Sequence, residues 1–572
     1  MEEPTEESME KPTEEIPAEE AAAAEGGEGC PLVDLPYPRP EPDYNAKVVR
    51  DLSPFEDALA AYTDERRGEL DDLLTSATIP NIQALIESGD LTSEELVVYY
   101  VDRIQRYDID GLNSVIELNP QALEIARALD DERASRTDQS GMYGIPVLLK
   151  DNIATGDGMH ATAGAVVMEG WLPDRDAGLV SKLRDAGAII LGKANLSEWA
   201  NYMDSCMPNG FSALGGQTEN PYGPFETYGS SSGSAVAAAA NLAAVTVGSE
   251  TQGSLLLPAG INSVVAIKTS KGLVSGDYII PLLPFQDVAG PMGRTVTDAA
   301  VLLTAMAGVD ENDPETQNAA KLDGVDFAEF ASLEAAQGKR IGIVFITDDD
   351  VDRFLQSLGI PEENRDAVLP AIEDQNNTNR VAGELFAAAG MEVVEIPWSA
   401  IPAAPDTKEA LKPGFKRAIN AFLAGLGDAA PVGSLQEIIA FNEEDAANRM
   451  PYGQDHLEEA QASDLTDEEW QTLREEHIQS TQQAFQVLFN TYEVDMFFEN
   501  LTQVYAPAGY PAITIPSGYG ADGTPKYYHI IGDYLAEPSL IMAGYVLEQA
   551  LNARVAPDLE ATMQLIDAVK SE

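Results

Sequence analysis

Histidine and cysteine are scarce in this chain of 572 residues, which has four histidines and two cysteines. Cys30 and Cys206 allow at most one disulfide, and they exclude a structural zinc site built from cysteines. Four histidines leave little room for histidine-based catalysis or for a histidine-rich metal site. The sequence also contains none of the common zinc, calcium or phosphate-loop motifs, so we expect no bound metal.

Basic side chains are also rare: 34 lysines and arginines stand against 96 aspartates and glutamates, which gives a net charge of −62. Residues 1–30 hold eleven glutamates and one lysine and contribute only −10 of this total. Such a charge disfavours nucleic acid and anionic membranes as partners. It is typical of a halophilic protein, whose acidic surface is adapted to salt that screens self-repulsion. Attraction of a cationic substrate is the alternative, and the sequence does not decide between them.

Long apolar runs are absent, and the longest candidate, residues 234–248, is short and mostly alanine. A membrane helix needs about 20 apolar residues, so we expect no membrane span. The N-terminus lacks the basic and apolar order of a secretory signal. We therefore expect a cytoplasmic protein, or an exported one whose signal peptide has been removed, while the oligomeric state stays open.

Composition divides the chain into a tail and a globular part. Residues 1–45 combine an acidic segment with a proline-rich one, which predicts a disordered tail and an extended linker. Residues 46–572 are predicted to form a single domain. Apolar runs such as IPVLLK, AIILGKA and AITIPSG alternate there with helical patterns, which predicts an α/β fold with helices on both faces of the sheet. Residues 352–500 are predicted to be a largely helical region that shapes a substrate site, or one that only covers the sheet.

Two short motifs suggest other chemistry but lack its structural context. Gly229, Ser231 and Gly233 match the G-x-S-x-G nucleophile elbow, which requires a strand immediately before it. The preceding NPYGPFETY is rich in turn residues, so we reject the elbow. Residues 518–523, GYGADG, match a dinucleotide fingerprint, but a strand pattern follows them where the fingerprint needs a helix. We interpret this stretch as a hairpin turn.

A serine nucleophile without a histidine needs another base, and a buried lysine whose pKa is lowered by desolvation can serve. Lys150 ends the apolar pattern GIPVLLK, although a lysine at a strand end can also extend its ammonium to solvent. Ser230 lies in a Ser/Gly run before a helix predicted over residues 235–244, and Ser254 lies in the loop ETQGS. Backbone N–H groups of such a loop are free to hold an oxyanion. The order of elements returns the chain to the same end of the sheet, where both serines and the lysine can meet.

The chain resembles the amidase signature family from about Ile79 to Arg554, and most strongly its bacterial peptide amidases. The resemblance is carried by LGKANLSEWANY, GGQTENPYGP, GSSSGSAVAAAANLA, PFQDVAGPMGRTVTDAA and AGYPAITIPSGY. It implies the fold of that family, a large mixed and twisted β-sheet covered by helices on both faces.

The resemblance also implies a Ser-cisSer-Lys triad. Matched to the family motif, Lys150 is the base, Ser230 the bridging serine after a cis peptide bond, and Ser254 the nucleophile that forms the acyl-enzyme. Ser231 becomes a supporting hydrogen-bond partner. The oxyanion hole is implied to consist of the backbone N–H groups of four residues: Thr251, Gln252, Gly253 and Ser254.

The implied activity is that of an amidase, a hydrolase that converts a linear carboxamide to an acid and ammonia or an amine. A peptide C-terminal amide is one candidate substrate, esters and anilides are expected to react as well, and no cofactor is expected. The sequence departs from the family pattern at Gln252, Ser263, Ala266 and Thr269. Gln252 lies beside the expected oxyanion donors, so it bears on substrate preference and rate.

Two alternatives to this hydrolase stay open. The catalytic component of a tRNA-dependent amidotransferase shares the signature and would need partner subunits. The other alternative is a binding protein that keeps the fold but is catalytically silent, for instance because Gln252 blocks the oxyanion site.

Overall fold

The computed structural model describes residues 37, 41–135, 140–357, 359–361, 364–403, 405, 407–499 and 505–570. Most of the tail and linker predicted for residues 1–45 therefore lies outside the described residues, and so does Cys30. Residues 41–45 form neither helix nor strand. The ring of Tyr44 packs edge-on against Phe211, with the centroids 5.7 Å apart, so the end of the predicted linker contacts the globular part.

A large mixed sheet forms the centre of the fold. The strands of the described residues are β1 (Val115–Leu118), β2 (Pro146–Lys150), β3 (Ile189–Ala194), β4 (Phe211–Ser212), β5 (Gly216–Gln217), β6 (Val245–Glu250), β7 (Val265–Lys268), β8 (Val288–Gly293), β9 (Arg340–Phe345), β10 (Glu392–Pro397), β11 (Met496–Phe498), β12 (Ala512–Tyr519) and β13 (Pro525–Gly532). The large sheet has 11 strands in the order β1-β3-β2-β6-β8-β7-β12-β13-β11-β9-β10, and β4 pairs with β5 separately.

The sheet contains two groups of parallel strands, and the edge strand β1 pairs antiparallel with β3. β3, β2 and β6 are parallel neighbours, and so are β11, β9 and β10. The strands between these two groups pair antiparallel. Because β2 and β6 are parallel, their carboxyl ends, at Lys150 and Glu250, lie at the same edge of the sheet.

Helices surround the sheet. Those of the described residues are α1 (Glu56–Ala61), α2 (Asp64–Leu74), α3 (Ile79–Ser88), α4 (Ser93–Tyr107), α5 (Ala122–Arg133), α6 (Gly178–Asp185), α7 (Glu198–Asn201), α8 (Ser232–Ala239), α9 (Leu256–Ile261), α10 (Val296–Met306), α11 (Val351–Ser357), α12 (Arg365–Ala388), α13 (Thr407–Leu426), α14 (Leu435–Glu444), α15 (Ala446–Arg449), α16 (Asp455–Ala462), α17 (Asp467–Tyr492), α18 (Tyr505–Ala508), α19 (Glu537–Leu551) and α20 (Leu559–Lys570).

Adjacent residues of a strand pack into different hydrophobic clusters. Ile530 and Ile531 of β13 belong to separate clusters, and so do Phe498 and Phe497 of β11. Successive side chains of a strand point to opposite faces, so both faces of the sheet are covered. Helices α10, α12 and α19 contribute to one cluster, and α9 and α17 contribute to the other. The predicted α/β fold, a large mixed sheet with helices on both faces, is confirmed.

The start of α4 follows from its sequence. Thr92 Oγ1 accepts a hydrogen bond from the Glu95 N–H at 3.1 Å, and Glu95 Oε2 accepts one from the Thr92 N–H at 3.2 Å. This reciprocal capping box satisfies two N–H groups that would otherwise lack partners at the helix start. The T-x-x-E spacing of these two residues in the sequence is typical of such a box.

The alanine-rich helix differs in its bounds from the prediction. Helix α8 spans Ser232–Ala239 and not residues 235–244. Its C-terminal end is fixed by Asn241, whose φ of +55° lies in the left-handed region, and by the Leu242 N–H, which donates to the Ala237 carbonyl at 2.8 Å. Arg103 then donates to the exposed carbonyls of residues 240 and 241. A local left-handed turn at Asn241 therefore ends the helix, and Arg103 binds the carbonyls just beyond that end.

The stretch GYGADG joins two antiparallel strands, as predicted. Ile513 of β12 pairs with Ile530 of β13, and Tyr519 pairs with Pro525 at the turn. Gly523 has a φ of +92°, a conformation that a residue with a side chain rarely adopts. The hairpin leaves no helix at this point to bind a dinucleotide phosphate.

In the described part of residues 351–492, helices α11 to α17 account for most of the chain, and β10 is the strand that lies among them. This pattern fits the largely helical region predicted for residues 352–500, although its division from the rest of the chain stays a prediction. Among the helices that the structure describes, none combines the length and apolarity needed to cross a bilayer.

Candidate active site

Lys150 is the last residue of β2, and its side chain is 0% exposed. Its Nζ donates hydrogen bonds to Ser230 Oγ at 2.7 Å, to Ser231 Oγ at 2.9 Å and to the Ser249 carbonyl at 3.1 Å. The apolar residues of β2 carry the amine into the interior. The alternative of a solvent-exposed lysine is therefore wrong.

Burial lowers the pKa of Lys150 to about 7, because removal from water disfavours the ammonium form. The negative charges of Asp287 and Glu250 oppose this effect and raise the pKa, but they do not cancel it. A substantial fraction of the amine is thus neutral near pH 7, and a neutral amine can accept a proton from the serine hydroxyl beside it.

Ser230 and Ser231 lie immediately before α8, at the carboxyl edge of the parallel strands. The peptide bond between Gly229 and Ser230 is cis, as the resemblance implied. The Ser230 carbonyl accepts a hydrogen bond from the Ser197 N–H at 3.1 Å. Ser231 Oγ bonds to both the carbonyl and the N–H of Ser249, at 2.9 and 3.1 Å. Both hydroxyls are thereby fixed next to the lysine, and Ser231 links α8 to β6.

Ser254 lies on the loop between β6 and α9, and 8% of its surface is exposed. Its carbonyl accepts a hydrogen bond from the Ser231 N–H at 3.0 Å, which joins this loop to the start of α8. Within the described part of the chain, no hydrogen bond connects the hydroxyls of Ser254 and Ser230. The structure therefore joins Lys150 directly to Ser230 and brings Ser254 next to them through its backbone.

The loop before Ser254 presents unused donors. Among the described residues, none of the N–H groups of Thr251, Gln252, Gly253 and Ser254 has a hydrogen-bond acceptor. Gly253 has a φ of +77°, in the left-handed region that favours glycine, so the chain turns sharply there. Four unpaired N–H groups in one turn can receive a negatively charged oxygen.

Two carboxylates, the buried Glu250 and the partly buried Asp287, hold this loop at both ends. Glu250 Oε2 accepts hydrogen bonds from the Leu255 and Leu256 N–H groups at 2.9 and 3.0 Å. Asp287 Oδ1 accepts one from Thr251 Oγ1 at 2.5 Å. Burial raises the pKa of Asp287. Sequence analysis missed both carboxylates, although Glu250 directly precedes the quoted loop and its position was a usable signal.

A cavity of about 450 Å³ borders the loop. Its walls near the site come from Asn152 and from residues 249–251. Its far wall comes from α13 and α17, which supply Arg417, Trp470 and Arg474. The cavity thus runs from the edge of the serine cluster to the helical region.

A family model described as Amidase matches residues 95–498 of the chain. A protein named probable amidase from Arabidopsis thaliana is 36% identical over 493 residues, which cover 85% of this chain and 92% of that protein.

The chain belongs to the amidase signature family.

Solved structures of the family agree with this assignment. An amidase family protein from Bacillus anthracis superposes with a TM-score of 0.79 at 36% identity, covering 91% of this chain and 99% of that one. The peptide amidase from Stenotrophomonas maltophilia superposes with a TM-score of 0.73 at 34% identity, covering 85% and 99%. One component of a glutamyl-tRNA(Gln) amidotransferase from Acidothermus cellulolyticus is 37% identical over 279 residues, but these are only 48% of this chain and 53% of that protein.

The departures from the amidase pattern have local explanations at two positions. Ser263 stands at a typical glycine position, and its φ of +53° lies in the left-handed region that glycine adopts easily. Thr269 is buried and its Oγ1 donates to the Ala289 carbonyl at 3.0 Å. The side chain of Gln252 is partly exposed beside the four N–H groups.

Proposed function

We propose that this protein is an amidase that hydrolyses a carboxamide through an acyl-enzyme on Ser254. The observation that carries the proposal is the fully buried Lys150, whose Nζ lies 2.7 Å from Ser230 Oγ. A lysine amine with a pKa of about 7 next to a serine hydroxyl is a general base at working pH. Family membership and the unused N–H groups of residues 251–254 support the same function.

Acylation begins with Lys150 neutral. Ser254 Oγ attacks the carbonyl carbon while its proton passes to Ser230 Oγ and the proton of Ser230 passes to Lys150 Nζ. For this relay the two serine hydroxyls must approach to hydrogen-bond distance when substrate binds, since catalytic contacts are often longer in the free enzyme. The negative oxygen of the tetrahedral intermediate then lies on the N–H groups of residues 251–254. One such donor contributes about 3 kcal/mol to transition-state stabilisation.

The reverse proton path completes acylation. Lys150 returns its proton to Ser230, and Ser230 protonates the leaving nitrogen, so ammonia or an amine departs and an ester to Ser254 remains. Water then attacks this ester and gives its proton to the same relay. Ser254 leaves with a proton, and the acid product is released. Atoms and charge balance without a cofactor.

The substrate class follows from the family and the cavity. The relative from Stenotrophomonas maltophilia is named a peptide amidase, and a cavity of about 450 Å³ has room for a short peptide or a small amide. We propose that a peptide C-terminal amide is a substrate of this chain and that α13 and α17 shape its binding site. Activated esters of the same acyl groups are expected to react as well.

The test is release of ammonia from acetylated dipeptide amides by the purified chain in high-salt buffer. Wild type is compared with Ser254→Ala and with Ser181→Ala, which changes an exposed serine on α6. We expect a loss of at least about 1,000-fold in kcat for the first variant, because the nucleophile is removed, and no change for the second. Full activity of Ser254→Ala would contradict the proposal.

An amidotransferase component is the second candidate, because one component of such an enzyme is among the relatives. That role predicts a lone chain that releases little ammonia until partner subunits are added. Turnover of free amides by the isolated chain at rates of about 1 per second or more, which is ordinary for enzymes, would exclude this candidate as the main function.

A further inference from the structure

The cavity beside the serine cluster has an aromatic and cationic far wall. Phe285 and Trp470 face each other with ring centroids 6.1 Å apart. The guanidinium of Arg474 lies 5.9 Å from the Phe285 ring centroid, and that of Arg417 lies 6.0 Å from the Trp470 ring centroid. Lys271 also lines the cavity. Five acidic side chains line the same cavity, so its three basic residues are outnumbered there, although less than in the whole chain, where 34 basic stand against 96 acidic side chains.

Two of these three cations already have partners. Lys271 pairs with Glu315 at 2.9 Å. Arg417 pairs with Asp467 at 3.1 Å and donates to the Leu465 carbonyl. Within the described part of the chain, Arg474 makes neither an ion pair nor a hydrogen bond. Its charge is therefore available to a ligand.

The carboxylates of the cavity are engaged by the protein itself. Asp277 pairs with Arg175 at 3.0 Å, and Asp313 accepts hydrogen bonds from the N–H groups of Gly276 and Glu315. Glu250 and Asp287 bind the backbone and side-chain donors described above. Among the described residues, Arg474 is thus the basic side chain of the cavity that has no ion-pair partner, and the carboxylates there already accept hydrogen bonds or ion pairs from the protein.

We propose that Arg474 binds a carboxylate on the acyl part of the substrate, so that this amidase prefers amides of acidic peptides. The inference rests on the proposed function, because it places the reacting carboxamide at Ser254 and the acyl group in the cavity. The rings of Phe285 and Trp470 then contact the apolar part between the two ends. A guanidinium suits this role, since it can form two parallel hydrogen bonds with one carboxylate.

The test compares three acetylated dipeptide amides that differ in one side chain of similar length: acetyl-Glu-Leu-amide, acetyl-Met-Leu-amide and acetyl-Lys-Leu-amide. We expect wild type to show a kcat/KM about tenfold higher for the Glu compound than for the Met compound, as a charged hydrogen bond provides. Arg474→Gln should abolish this preference, and Arg474→Lys should retain part of it. Arg380→Gln removes the same charge from the exposed face of α12 and should leave the preference unchanged.

The binding preference is also measured in Ser254→Ala by calorimetry, where turnover is not needed. A Glu preference there that Arg474→Gln removes would support the inference even if wild type hydrolysed none of the three, an outcome that would count against the proposed function alone. Equal binding of the Glu and Met compounds, or preference for the Lys compound, would overturn the inference while leaving amidase activity intact.

Discussion

In the proposed mechanism Lys150 accepts a proton, and two opposing effects on its pKa bear on that role. Burial alone would keep its amine neutral, and the carboxylates of Asp287 and Glu250 raise its pKa part of the way back to the ordinary value. The result, about 7, lies near the working pH, where a general base is most effective. In the proposed mechanism, the nearby carboxylates therefore help to set the pKa of the base.

The pH dependence of kcat/KM tests this point. Protonated Lys150 cannot accept a proton, so we expect activity to be low in acid and to rise with an apparent pKa of about 7. Asp287→Asn removes a charge that favours the ammonium form, so the rising limb should shift to lower pH. Asp348→Asn, at an exposed position, is the control. A shift of the Asp287→Asn limb to higher pH would contradict this role of Asp287.

At the scale of elements, the site depends on how closely α8 approaches its neighbours. A Cβ atom built on Gly233 would lie 2.4 Å from the Asn195 carbonyl oxygen and 2.5 Å from that of Ser114. Both are backbone atoms, which cannot move aside as a flexible side chain does. Since Ser230 and Ser231 directly precede this helix, a displaced α8 would displace them as well.

Two alanine substitutions separate the effect of this close contact on stability from the effect of helix propensity on stability. Gly233→Ala should lower the free energy of unfolding by about 2 kcal/mol, as overpacking does, and should reduce kcat. Gly68→Ala, in the exposed part of α2 where a Cβ meets nothing within 4 Å, should raise stability by about 1 kcal/mol because alanine favours helix. Denaturant unfolding and turnover assays measure both effects. A stable and fully active Gly233→Ala protein would show that α8 can shift without cost.

Among the helices and strands, some features could be predicted from the sequence and others could not. Apolar runs predicted β2, β3 and β12, because strands buried on both faces are apolar, and this placed Lys150 at a strand end. The end of α8 was not predicted: the chain turns at Asn241, and Arg103, more than 100 residues away in sequence, binds the carbonyls of residues 240 and 241 just past the helix. The meeting of Phe285 with Trp470 and Arg474 likewise depends on which face of α17 the fold turns toward the cavity. Periodicity alone does not give that face.

At the scale of the whole molecule, the net charge is expected to have a large effect on stability. The net charge of −62 means that most carboxylates have no basic partner, so they repel one another when the salt concentration is low. At 1 M salt the screening length is about 3 Å, short enough to remove most of this repulsion. An acidic surface of this kind is thus expected to need salt for full stability.

Thermal unfolding in 0.1 M and in 2 M KCl tests that expectation. We expect the Tm to rise by about 3 °C or more, because in a domain of about 500 residues each kcal/mol of added stability shifts the Tm by about 1 °C and a change of a few kcal/mol is expected. Sucrose at matched osmolality controls for stabilisation by solutes that avoid the protein surface. A Tm that responds equally to both solutes would contradict a salt-adapted surface.

The central claim is that Ser254 is a nucleophile activated by Lys150. Its most direct test is labelling of the chain in high-salt buffer with a serine-reactive fluorophosphonate, followed by mass spectrometry of the modified peptide in wild type and Lys150→Ala. We predict label on Ser254 in wild type and its loss in the variant. Label on Ser231, or label on Ser254 that does not depend on Lys150, would contradict the claim.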